Sequence, residues 1–427
     1  MIFFRVTQNI NIKTTDGTLV NYFKLKQPSN LENETIYITT YDDFKDIQEI
    51  FARVDAEKYF AKNLNESNIR TLPSFPKELG ITNINEYEKR EKSKEIEFFD
   101  IKEIDIYKQL KKIDKDEVSI AIIGGVGESI SDMIASCTAL RILYEKLSEV
   151  YKKVKLDIYI NASNNSYYTR DKQIYQTQDY ITNVFPLSIT TKKLCEYDYF
   201  IDNSVNINRV FDELNIVDAW LLKFGINYKK VSENKKFNIL NLLDYKAENN
   251  LSKKINDAKV KGKLLMFHPY SANINKSIPQ NFAVEMLKEL IAKYDDYIIV
   301  STLQIDSKIK EENYLDLSKD SKTINDFIYI VSSMDKIITV DTATYHISDS
   351  FMIPTVAIFT DINYEKKIKY YKYVKPIFVK DESKNLSQFI YENEALILYK
   401  FDSWKKLKLN KIIKLLDSFW YNPQLLK

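Results

Sequence analysis

Three short stretches carry residue types that do chemistry. The first is Ile122 to Asp132, IIGGVGESISD, which holds three of the chain's seven glycines: Gly124, Gly125 and Gly127. A dinucleotide fingerprint needs a further glycine where Ile130 stands, and a phosphate-gripping Walker loop needs lysine where Glu128 stands. Neither motif fits. What is left is a glycine-rich turn at the carboxyl edge of a sheet, where ligands bind in parallel-sheet folds. Asp132 lies just inside the helix that follows. Facing a cleft, its carboxylate would act as a general base. The alternative is a helix start stabilised by acidic residues.

The second stretch is FHPYSANINKSIP, in which His268 ends a strand, Ser271 and Lys276 lie in a polar loop, and Pro279 opens a helix. A lysine and a hydroxyl beside a helix N-terminus suit a phosphate, although a loop lysine is also at home in solvent. The third is ITVDTATYHISDS. Asp341 ends a hydrophobic strand, and Thr342, Ala343 and Thr344 open a helix whose backbone N–H groups an anion can approach closely. The other reading is a plain helix cap by Asp341 or Thr342. The chain's two histidines, His268 and His346, both fall in these last two stretches.

The elements that must position these residues follow from hydrophobic spacing. VSIAII, VKLDIYIN and YDYFIDNS read as strands, and ISDMIASCTALRILYEKL as the helix after the first of them. VDAWLLKFGI is a helix ended by Gly225. A second alternating series begins near residue 262: strands KLLMFHPY, YIIVSTLQ, KIITVD and TVAIFT, with helices SIPQNFAVEMLKELIAKY, TINDFIYIVSSM (capped by Thr323) and TYHISDSFM. Alternation of this kind predicts parallel, doubly wound α/β sheets, hence two Rossmann-like domains with a cleft between them. The first 115 residues differ. They open with a hairpin around Asp16–Gly17, a strand at ETIYITTYDDF running into a helix near 42–53, breaks at Pro73, Pro76 and Gly80, and a charge-dense, helical stretch over 86–117. The expected layout is an α+β appendage (1–115), a first Rossmann-like domain (116–230), a second (231–400) and a C-terminal helix (401–427).

Composition narrows the function. The 427 residues are 44% hydrophobic, enough for sizeable cores, and carry a net charge of only +2, so nothing advertises nucleic acid. Two cysteines, Cys137 and Cys195, form no disulfide framework and no four-ligand zinc site, which suits a reducing compartment. MIFFRVTQNI does not read as a signal peptide, and no apolar run approaches about 18 residues, so no transmembrane helix is expected. In WKKLKLNKIIKLLDSFW, Leu409, Ile412, Ile413, Leu416 and Phe419 recur at helical spacing, while Lys405, Lys408, Lys411 and Lys414 lie mostly elsewhere. Such a helix either packs across the two domains as a closing helix or rests on an anionic bilayer. The expected location is cytoplasmic, with peripheral contact at the inner membrane as the further expectation.

Taken in order, the motifs resemble glycosyltransferase family 9, the ADP-heptose lipopolysaccharide heptosyltransferases and their relatives, over about residues 117–380. SDMIASCTAL is similar to the family's Gly-Asp and small-Ala-Leu segment, with Asp132 on the catalytic aspartate and Ser131 in place of glycine; Glu128 is the rival. HPYSANINKSIP resembles its phosphate-binding loop, with Lys276 and Ser271 on the phosphate contacts and Ile278 in place of tryptophan. DTATYHISDSFMIPTVAIF resembles its Asp-Thr-Gly-x-x-His segment, with Ala343 in place of glycine.

The resemblance implies an inverting, metal-independent transferase of the two-domain GT-B type with no cofactor beyond its nucleotide-sugar co-substrate. The first domain, with Gly125 and Gly127 in its loop, would hold a glycan, glycolipid or protein acceptor. The second would hold the nucleotide sugar through Ser271, Asp341, Thr342, Ala343, Thr344 and His346. Asp132 would take the acceptor proton and Lys276 would stabilise the leaving diphosphate. Transfer of a heptose or hexose to a bacterial surface glycan is the expected activity. Two alternatives stay open: a non-catalytic relative that binds a glycan or partner, motivated by the lost glycines, and a nucleotide-sugar epimerase of the same architecture.

Overall fold

The structure, a computed structural model, describes residues 2–6, 9–23, 37–40, 43–47, 60–61, 106–163, 165–203, 208–380 and 402–421. The chain divides into two compact units, Met1–Ser232 and Glu233–Lys427.

In the first unit the strands are β1 (Ile2–Val6), β2 (Ile10–Lys13), β3 (Leu19–Tyr22), β4 (Tyr37–Thr39), β5 (Phe60–Ala61), β6 (Glu117–Ile123), β7 (Lys153–Ile160), β8 (Asn183–Pro186), β9 (Ile189–Thr190) and β10 (Tyr199–Asp202). β6 is buried almost end to end, as expected of a β-branched run covered on both faces of a parallel sheet. Its sheet has the order β10-β6-β7-β8, all parallel. Helix α1 (Ile106–Leu110) precedes β6, and α2 (Ile130–Ser148) follows it. α3 (Tyr168–Gln176) and α4 (Ile216–Lys223) are the two longest described helices after it in this unit, and Gly225 stands just past α4 at φ +72°.

The N-terminal segment is built into this unit through strand pairing. β2 and β3 form the expected hairpin around Asp16–Gly17, with Gly17 at φ +85°. β4 pairs antiparallel with β1 on one side and with β9 on the other. Most of the charge-dense stretch over 86–117 lies outside the described residues. Its described end is helical only over Ile106–Leu110, and the residues after it turn into β6. Of the helix expected near 42–53, residues 43–47 are described, and they are helical.

The second unit holds one six-stranded parallel sheet: β11 (Lys263–His268), β12 (Tyr297–Ser301), β13 (Tyr314–Asp316), β14 (Lys336–Val340), β15 (Thr355–Phe359) and β16 (Val374–Phe378), in the order β13-β12-β11-β14-β15-β16. That is the 3-2-1-4-5-6 order of a Rossmann sheet, with its switch point between β11 and β14. Helices α5 (Asn249–Lys261), α6 (Gln280–Lys293), α7 (Ile324–Ser332), α8 (Ala343–Ser350) and α9 (Leu409–Asp417) accompany it. Thr323 caps α7 in a reciprocal capping box with Asp326. α5, β13 and β16 had no clear sequence signal: α5 is dominated by polar residues, β13 is three residues long, and β16 sits inside a lysine- and tyrosine-rich run.

α9 settles its own question by packing. Leu409, Ile412 and Leu416 are buried in the second unit's core with Leu287, Leu290 and Val356, while Lys408, Lys411 and Lys414 are exposed. The apolar face is occupied within this unit, so it is not available to a bilayer. No helix among the described residues is long and apolar enough to cross a membrane.

Candidate functional site

Both Rossmann-like sheets gather the singled-out residues at their carboxyl edges. In the second unit, β11 and β14 are neighbours, so the loops leaving them lie side by side at the switch point. The β11 loop is folded by its own hydroxyls. Ser277 Oγ accepts from Ser271 N at 2.9 Å and Ser271 Oγ accepts from Asn273 N at 3.3 Å. Ser271 Oγ also donates to the Asp341 carbonyl at 3.4 Å, which ties the two loops together.

Lys276 Nζ lies 2.9 Å from Asp341 Oδ2. A second ammonium, Lys367 Nζ, lies 3.0 Å from the same oxygen and 2.9 Å from Asp361 Oδ2. Tyr345 donates its hydroxyl to Asp341 Oδ1 at 3.2 Å. Asp341 is 6% exposed, whereas the lysine side chains keep about a third of their surface (34% and 29%). Burial alone would raise the Asp341 carboxyl, but Lys367 and then Lys276 outweigh it and hold the group below the ordinary carboxylate range. The arrangement is therefore two flexible cations anchored on one rigid, buried anion.

Thr342 is the N-cap of α8: its Oγ1 accepts from Thr344 N at 3.2 Å and its hydroxyl contacts Thr344 Oγ1 at 2.9 Å. The capping alternative is thus realised, and the same geometry leaves the first turn of α8 beside Asp341. Ala343 sits at the first helical position of that turn. His346 is buried. Its Nδ1 bonds the Tyr371 hydroxyl and its ring stacks near Tyr345, so it packs beneath the loop rather than lining it. His268 is likewise buried, with Nδ1 3.1 Å from Thr302 Oγ1. Burial pushes His268 down to about 4 and His346 down to about 3.

Lys367 is the residue that sequence reading missed. It lies in YEKKIKYYKY, where four lysines stand among tyrosines and nothing in spacing separates one from the others. The sheet does, because the turn after β15 carries Lys367 back towards β14.

In the first unit the glycines have stated jobs. Gly124 and Gly127 take φ +87° and +86°, the left-handed region. A Cβ on Gly127 would stand 2.6 Å from the Asp132 backbone, and one on Gly125 2.7 Å from the Tyr175 hydroxyl. That hydroxyl is buried against the turn, accepting from Val126 N at 2.9 Å and donating to Val126 O at 3.1 Å. Asp132 is the third residue of α2 and forms a capping box with Ser129: Ser129 Oγ donates to Asp132 Oδ2 at 2.7 Å, and Asp132 N donates back to Ser129 Oγ at 3.2 Å. Asp132 is partly exposed and its rival Glu128 exposed. The acidic helix start is thus real, and it holds a carboxylate at the carboxyl edge beside the glycine turn.

No family model and no curated protein matches the chain. Among solved structures it is similar to a glycosyltransferase family 9 protein from Veillonella parvula, at 11% identity and TM-score 0.44 over 67% of this chain and 96% of that one. It is also similar to E. coli ADP-heptose lps heptosyltransferase II, at 14% identity and TM-score 0.40 over 66% and 99%. A third likeness is to E. coli heptosyltransferase WaaC with ADP, at 12% identity and TM-score 0.43 over 64% and 99%.

Proposed function

We propose that the chain is an inverting glycosyltransferase of the GT-B type that moves a heptose or hexose from a nucleoside-diphosphate sugar to a hydroxyl-bearing glycan, glycolipid or protein acceptor. The observation that carries this reading is the Lys276–Asp341–Lys367 cluster at the switch point of a Rossmann-ordered sheet. A leaving diphosphate needs positive charge that is ready but mobile. Two lysines on long flexible stems, held by a buried carboxylate, supply it without a metal. On donor binding the ammonium groups turn from Asp341 Oδ2 to the phosphates, and the α8 N-terminus adds its backbone N–H groups. Asp341, released from the lysines, accepts from donor sugar hydroxyls.

Asp132 takes the proton of the acceptor hydroxyl as that oxygen bonds to the anomeric carbon. The bond from the anomeric carbon to the diphosphate oxygen breaks, and the nucleoside diphosphate leaves with the electron pair. No cofactor enters the step.

The test is thermal shift with ADP, UDP, GDP and CDP. At least one should raise the melting temperature, Lys276→Ala should remove most of the rise, and Lys367→Ala should remove part of it. A chain that none of the four stabilises is not this enzyme. The capping of Asp132 Oδ2 by Ser129 favours a second reading, a non-catalytic glycan-binding relative. Asp132→Asn separates the two: it abolishes transfer by an enzyme, while glycan binding by a binding module survives it.

A further inference from the structure

The first unit has a switch point of its own. Its sheet order β10-β6-β7-β8 puts β6, the first strand of that sheet in chain order, between neighbours reached by crossovers in opposite directions. β6 and β10 are neighbours there. Asn203, just past β10, donates its backbone N–H to Ile123 O at 2.9 Å. Its side chain lies over the glycine turn, with Nδ2 3.5 Å from Gly125 O. Asn203 is 7% exposed, and among the described residues its Oδ1 has no hydrogen-bond partner. A buried amide oxygen without a donor forfeits the hydrogen bonds it made to water in the unfolded chain, so this acceptor is suited to a donor from a ligand.

The cover over this point comes from the N-terminal segment. A Cβ on Gly124 would stand 3.3 Å from Thr40 Cγ2 and 3.6 Å from Asn203 Cβ, so Thr40 and Asn203 close on the same glycine. Thr40 donates to Asn161 Oδ1 at 3.3 Å, on the loop leaving β7. Asp43, fully buried, fixes the segment there: Oδ2 accepts from Thr39 Oγ1 at 2.6 Å, and Oδ1 accepts from Ala162 N and Ser163 N at 3.3 Å each. The hairpin turn is fastened nearby, Lys172 Nζ lying 2.8 Å from Asp16 Oδ2. The segment therefore sits across the carboxyl edge of the first sheet.

We propose that this switch point is a subsite for a neutral, hydroxyl-bearing ligand, a sugar ring, with Asn203 Oδ1 accepting from a ligand hydroxyl and Thr40 forming the wall that must shift to admit it. The groups at the glycine turn itself, the Asn203 amide, the Thr40 hydroxyl and the Gly125 carbonyl, are neutral and suit a hydroxyl and not a phosphate. The inference rests on the glycosyltransferase reading, in that it names the recognition group on the acceptor side.

The test uses the full chain and a panel of methyl hexosides and methyl heptosides as probes. At least one should bind saturably and move the nitrogen-15 signal of the Asn203 side-chain amide. Asn203→Leu, of similar volume, should weaken that binding on the order of tenfold, one hydrogen bond's worth, and leave the nucleoside-diphosphate shift intact. The amide signal is read in the unaltered protein, so the test survives a variant that does not fold. No glycoside binding, or binding that neither moves the amide nor weakens in the variant, overturns the subsite and leaves Asn203 facing a buried water. If glycosides bind as expected and no nucleoside diphosphate does, the subsite stands and the transferase reading falls.

Discussion

At the scale of single residues, the charge of both histidines in the second unit is set by burial. His268 and His346 are held neutral far below the usual imidazole value. The sign follows from linkage. Unfolded histidine takes a proton near pH 6.5, while folded His268 resists it until about pH 4, so the unfolded state binds more protons in that window and stability falls as pH drops through it. Replacing His268 with glutamine removes this contribution. The stability gap between His268→Gln and wild type, measured by urea unfolding, should therefore narrow as pH falls from 7 towards 4. A gap independent of pH would mean that His268 titrates normally. Such behaviour was hidden in the sequence. One histidine at a strand end and one in a helix, both beside polar loops, invite a functional reading, with His346 supporting a donor loop or packing beneath it, and only packing shows that both rings are buried.

At the scale of elements, the glycine turn before α2 is fixed by sterics. Gly127 sits at φ +86° with the Asp132 backbone 2.6 Å from where a Cβ would go. Gly127→Ala should cost more than about 1 kcal/mol, because it combines a left-handed strain with a clash. It should also disturb the Ser129–Asp132 cap. A lowered urea midpoint is the expected result, and an unchanged one would show that the turn relaxes freely. The C-terminal helix gives a second case. Ile412 is fully buried among the helices and strands of the second unit, so Ile412→Ala should destabilise by about 2–5 kcal/mol, read as a fall in melting temperature. A negligible loss would return the helix to the surface and reopen the membrane reading. Here spacing identified the apolar face but not what covers it.

At the scale of the whole molecule, each unit has its own sheet. Residues 233–427 hold all six strands of one sheet and a continuous core running from Leu265 to Leu416. Expressed alone, this stretch should fold with a single cooperative transition and, on the proposed function, still bind a nucleoside diphosphate. A molten product with no near-ultraviolet circular dichroism would show that it depends on residues 1–232. In the first unit no such split is expected, because β4 pairs with β9 and Asp43 accepts from backbone N–H groups of residues 162 and 163. Strand pairing across 150 residues of sequence leaves no local trace, which is why the N-terminal segment read as an appendage.

The sequence by itself determined the alternation of strands and helices, the Rossmann character of both halves, and three loops worth watching, because period and turn chemistry are local properties. It also placed Ser271 and Lys276 in one loop after a strand and Asp341 at the end of another strand, since a strand that ends in a polar turn delivers its next residue to the sheet edge; the pairing of β11 with β14 made those two loops neighbours. The tertiary structure alone decided that Lys367 joins them, that His346 and His268 are packing groups, and that Thr40 and Asn203 converge on Gly124. Those juxtapositions depend on strand order. Strand order is set by which buried faces fit together across the chain, and nearest-neighbour pattern does not encode it.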